Sequence, residues 1–206
     1  MNSTASHPEM SDSELLKTLK TAVATSKRSL FDDGILLMLW GGMFTIGFLL
    51  NYYKSTYLVV WWERNIIDTI HILGGIVVIG ITIYFIFFRK KTIRTYTAIS
   101  TRFVWIGIIL AHNLNVIITK GFLHDVNFAL LHPLQMVLIG FALFVTGGIY
   151  RYYLLSAFGV IYWVAAWIGS GLELSDQYLL RAIADFICFV IPGILMYMQN
   201  KKPADV

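Results

Sequence analysis

Six long apolar stretches occupy most of this 206-residue chain, at 34–50, 66–88, 103–119, 128–148, 152–170 and 179–198. A helix needs roughly 20 mostly apolar residues to cross the ~30 Å of hydrocarbon in a bilayer, and each stretch comes close to that length. With 57% hydrophobic residues, only 14% charged ones and a mean hydropathy of +0.69, the chain has too little polar surface for a soluble domain of its size. The sequence therefore predicts an all-α polytopic membrane protein: six transmembrane helices as three antiparallel hairpins, preceded by a short amphipathic helix. The domain reading is a cytoplasmic N-terminal segment 1–33, a six-helix membrane domain 34–199 and a cytoplasmic tail 200–206.

The basic residues orient it. Lys17, Lys20, Lys27 and Arg28 precede the first span; Arg89, Lys90, Lys91, Arg94 and Arg102 lie between the second and third; Arg151 follows the fourth; Lys201 and Lys202 follow the sixth. The opposite side holds Lys54, Arg64, Lys120 and Arg181, so twelve basic residues face four. Lys and Arg accumulate in cytoplasmic loops, which predicts both termini in the cytoplasm. This distribution accounts for the +4 formal charge, so the charge is no nucleic-acid footprint. No apolar h-region precedes residue 34, and the first span is expected to act as an uncleaved insertion signal. The single cysteine, Cys188, excludes an intrachain disulfide and reads as a packing residue within a span.

Between residues 11 and 31, Leu15, Leu16, Leu19, Val23 and Leu30 fall near helical spacing with lysines between them, and Ser11 with Glu14 forms a capping box. Two partners suit such a helix: the anionic inner leaflet, which its basic face would contact, or a cytosolic protein. The first outer loop, 51–65, carries Tyr52, Tyr53, Tyr57, Trp61 and Trp62 and reads as an interfacial segment. The turn at Tyr150-Arg151-Tyr152-Tyr153 is short enough to make spans four and five antiparallel neighbours. Titratable His71, His132 and Asp185 occupy similar depths in the even-numbered spans, a hint of hairpin triplication.

Ionisable groups inside a membrane are costly and mark functional positions or interior pairing. Asp68 and His71 stand at i, i+3 in span two; His112 and Asn115 likewise in span three; His132 and Gln135 in span four; Arg181 and Asp185 at i, i+4 in span six. In the predicted orientation all lie in the outer halves of their helices, which describes a polar cavity facing the periplasm above apolar inner halves. Three uses compete for it. The groups satisfy one another, with Arg181 pairing Asp185 and Arg64 pairing Asp68; or they bind a small ligand, ion or proton, Arg181 supplying a counter-charge; or His71, His112, His132 and Asp185 hold a divalent metal, of which a bis-histidine haem is a narrower case. His124, beside Asp125, reads as a solvated loop histidine, and Glu173 and Asp176 as solvated charges and a cap for span six. Gly41-Gly42 and Gly74-Gly75 read as packing glycines, and Pro192-Gly193 is expected to kink the last helix.

No phosphate-cradling loop, GxSxG, HExxH or paired catalytic carboxylates occur, and no span shows the full-length polar stripe of an ion pore. A metal-dependent integral membrane enzyme would thus need an unfamiliar site, and no cofactor is predicted. The stretch with Phe31-Asp32-Asp33-Gly34 and Leu39-Trp40-Gly41 resembles the opening of small uncharacterised multi-pass proteins of Bacteroidota, over the first quarter of the chain. Gly42 departs from the bulky residue that pattern has. The resemblance implies an inner-membrane helical bundle and carries no activity. The expectation is a non-enzymatic membrane module binding a small ligand, ion or proton, as a sensor or small transport-related protein. The alternative is an assembly protein that docks a cytosolic partner through its N-terminal helix.

Overall fold

The computed structural model describes residues 12–57, 61–87, 96–123 and 127–201; among these, the side chains of residues 12, 13, 15, 17–33, 61, 63, 64, 71, 85–87, 98, 122, 123 and 199–201 lie outside the description. The described residues are almost entirely helical, with no strand among them. The elements are α1 (Asp12–Tyr57), α2 (Trp61–Phe87), α3 (Tyr96–Leu123), α4 (Phe128–Tyr150), α5 (Tyr153–Gly169) and α6 (Leu174–Asp185), then a π-helical turn (Phe186–Val190) and α7 (Ile191–Lys201). The last three follow one another without a break. Five helices are long and apolar enough to cross a membrane: 34–57 within α1, 65–84 within α2, 99–121 within α3, α4, and the rod from Leu174 to Met198. The sixth, α5, has 17 helical residues, the lower end of the spanning range, because turns at Arg151-Tyr152 and Ser170-Gly171 take up its flanks.

The separate amphipathic helix is not there. α1 runs unbroken through Gly34 for 46 residues, about 69 Å at 1.5 Å per residue. No proline interrupts it, and a single glycine lowers helix stability by only ~1 kcal/mol. The first outer loop is likewise mostly helix: Tyr52, Tyr53 and Tyr57 stand on the last turns of α1, while Trp61 and Trp62 open α2. The loop pair His124-Asp125 lies outside the described residues.

Sequential helices do meet as hairpins, but the densest packing joins elements across them: α4 with α5, and α1 with α6, the π turn and α7. Their shared core contains Met136, Leu143, Leu155, Tyr162, Ala165, Ala166, Ala184, Cys188 and Phe189. α2 rests on α1 and α3 on α4, each with most of its apolar surface turned outward. Glycine makes the close packing possible. A Cβ on Gly159 would sit 2.6 Å from the Gly140 carbonyl oxygen, and one on Gly193 2.8 Å from that of Gly34. Gly41 presses on Phe189 in the same way, whereas Gly42 and Gly74 face open space and Gly75 only reaches Met43. The packing role expected of both pairs therefore belongs to Gly41.

Two local devices shape the core end. α4 stops at Arg151, held at φ 53°, a left-handed conformation usually taken by glycine, with the Tyr152 N–H bonded to the Gly147 carbonyl at 2.8 Å. Pro192 lacks an N–H, and its ring crowds the carbonyl of Cys188, four residues back. The rod answers by widening to a π turn over Phe186–Val190. That turn begins directly after Asp185.

Candidate functional site

The polar residues of α4, α5 and α6 form one buried cluster. Arg181 on α6 is 4% exposed, His132 on α4 is 7% exposed and Asp185 on α6 is fully buried. One terminal nitrogen of Arg181, Nη1, donates to His132 Nδ1 at 2.9 Å and to the side-chain oxygen of Gln135 at 2.5 Å. His132 and Gln135, three residues apart on α4, thus present acceptors to the same nitrogen. Because Nδ1 accepts, the imidazole carries its proton on Nε2. The face of Phe48, from α1, lies 4.2 Å beneath the guanidinium carbon, a cation–π contact. Tyr178 packs edge-on against His132, ring centroids 5.0 Å apart, and stacks on Phe48.

One turn along α6, Asp185 turns to α5 instead. The Tyr162 hydroxyl donates to its Oδ1 at 2.6 Å, and both residues are completely buried. The expected Arg181–Asp185 ion pair is therefore not a contact: each side chain has been recruited by a different helix. The second expected pair changes as well, since Asp68 accepts from Lys54 of α1 at 2.5 Å, and the side chain of Arg64 lies outside the description. Four buried polar atoms at the centre have no hydrogen-bond partner among the described residues: His132 Nε2, Arg181 Nε, Asp185 Oδ2 and Gln177 Oε1. Buried polar atoms of this kind are uncommon in folded proteins.

Of the residues singled out by sequence, the structure brings together His132, Gln135 and Arg181, with Asp185 one turn away on the same helix. His112 on α3 is half-buried and within electrostatic range of Arg181 and His132. Asn115 is half-buried on α3, one turn further on, and Asp68 belongs to the separate α1–α2 pair. The backbone of His71 stands on α2. Among the described residues, no three of His, Cys, Asp and Glu gather as a metal-binding group. A guanidinium 2.9 Å from His132 also repels a divalent cation. Sequence reasoning missed Tyr162 and Phe48. Tyr162 was legible in principle, being a hydroxyl placed mid-way along an apolar helix, where it must find a partner.

A cavity of about 360 Å³ lies elsewhere, between α4 and α5, lined by apolar residues including Pro133, Leu134, Val137, Trp163 and Trp167. No protein-family model, curated protein or solved structure matches this chain.

Proposed function

We propose that this chain is a non-enzymatic multi-pass module of a bacterial inner membrane, with both ends in the cytoplasm, whose periplasm-facing polar cluster binds a small ligand, ion or proton. It would serve as a sensor or a small transport-related protein. One observation carries the reading: Arg181 is a buried, permanent cation whose contacts are all neutral (an imidazole, an amide and an aromatic face). A structural role alone is met more cheaply by neutral partners, because desolvating a charge costs several kcal/mol. Twelve basic residues on one side of the spans against four on the other support the orientation.

The test substitutes Leu for His71, His112, His132 and Asp185 in turn, with stability in detergent and cellular phenotype as readouts. Stability and phenotype unchanged in every variant would leave the cluster inert and the reading refuted. A carboxyl-terminal reporter active only outside the cytoplasm would refute the orientation. A second reading, docking of a cytosolic protein, is favoured by the length of α1, at about 69 Å more than twice the hydrocarbon thickness. Deleting residues 1–30 without losing any co-purifying protein would argue against it.

A further inference from the structure

Two groups of opposite formal charge, Arg181 and Asp185, are buried one helical turn apart with no ion pair between them. Arg181 carries a positive charge. A lone buried charge is strongly disfavoured, so Asp185 balances Arg181 across the turn as a carboxylate, stabilised by the Tyr162 hydroxyl. Two of the buried unpartnered atoms belong to these charged groups: Arg181 Nε, one donor of a planar fork, and Asp185 Oδ2, an acceptor. A guanidinium fork matches the oxygens of a carboxylate or a phosphate. An anion there would make Asp185 a surplus negative charge.

We infer that the Arg181 cluster takes up a small, singly charged carboxylate or phosphate anion together with one proton, the anion on the Arg181 fork and the proton on Asp185. This rests on the binding role proposed above. One anion arrives and one O–H bond forms on the Asp185 carboxyl, so the charge of the buried site is unchanged. Oδ1 already accepts from Tyr162, which leaves Oδ2 for the proton. The other groups around Asp185 do not substitute for it. Tyr162 of α5 is already a donor; Cys188 follows in the π turn; Tyr178 and Arg181 precede it on α6. His132 of α4 faces the guanidinium through Nδ1, His112 of α3 feels the guanidinium charge, Asp68 of α2 is paired with Lys54 and acts electrostatically on Tyr178, and α1 contributes the Phe48 ring. A proton on His132 would add a cation beside Arg181, whereas one on Asp185 cancels a charge.

The experiment titrates acetate and inorganic phosphate into the detergent-purified full chain by calorimetry, in buffers of different ionisation heat. About one proton should be taken up per anion, and the affinity should weaken ~10-fold per pH unit on the alkaline side, where Asp185 must acquire its proton. Asp185→Asn should bind the anion with no proton uptake, and its thermal stability should be lowered without anion and recovered with it. Arg181→Lys, which keeps the charge and loses the fork, should weaken binding at least ~10-fold. Repeating the titration in bilayer discs separates the sources: phosphatidylglycerol, but not phosphatidylcholine, should block acetate if the natural anion is a lipid headgroup. Anion binding without proton uptake, or with Arg181→Lys unimpaired, overturns this inference and leaves a binding module standing. Proton uptake without anion does the same. No response to anion, proton or any other small solute overturns both.

Discussion

Two of the polar bridges between helices, both among the described residues, contain charged groups, and their surroundings separate them. At one end of the α1–α2 pair, Lys54 donates to Asp68 with side chains 25% and 48% exposed. In the core, Arg181, His132, Gln135, Tyr162 and Asp185 knit α4, α5 and α6 together with almost no exposure. The first is a contact ion pair that water and headgroups screen. The second contains both charges yet no ion pair, because each charged group is held by neutral partners from another helix. Exposure makes the first bridge dispensable. Burial makes each member of the second depend on all the others.

Mutation can break that contrast at several points. The largest effect is expected from Arg181→Leu, which leaves Asp185 buried without its balancing charge and strips His132 and Gln135 of their donor. A loss of about 3–5 kcal/mol in unfolding free energy follows, measured by denaturant titration in mixed micelles. The double variant Arg181→Leu, Asp185→Leu should recover much of it, since a buried pair replaced by apolar residues is often neutral. Tyr162→Phe removes the one hydrogen bond that the Asp185 side chain makes among the described residues and should cost about 1.5–3 kcal/mol, with the same readout. Trp40→Phe deletes the 3.0 Å bond from the indole N–H to Thr82 between α1 and α2 and should cost about 0.6 kcal/mol, the average for such bonds in membranes. Lys54→Met should cost only about 0.5 kcal/mol, shrinking as salt is raised. A Lys54→Met loss that matches Arg181→Leu would erase the distinction.

The apolar stretches announced the helices because span length follows from bilayer thickness and composition alone. Ends were harder to place. Nothing in 11–34 signals that the N-terminal segment is continuous with span one, since that depends on a helix not breaking at Gly34. The site was half legible. Intramembrane His132, Gln135, Arg181 and Asp185 stand out because such groups are rare in hydrocarbon, but the obvious i, i+4 partner of Arg181 was the wrong one. Spacing along one helix sees only that helix, and here α4 and α5 offer closer acceptors and donors. The glycines show the same limit: Gly41 and Gly42 are adjacent in sequence, and only Gly41 meets a neighbour.

Amino-acid order alone determined that the chain is an all-helical, multi-pass protein, since hydropathy and length are local properties that a bilayer reads one segment at a time. Only the tertiary arrangement decided which helices share the core, and it set Arg181 against His132 and Gln135 while giving Asp185 to Tyr162. Those pairings depend on how closely glycine-lined helices approach and how a proline-driven π turn widens the last rod. Both are fixed by contacts between segments far apart in the chain.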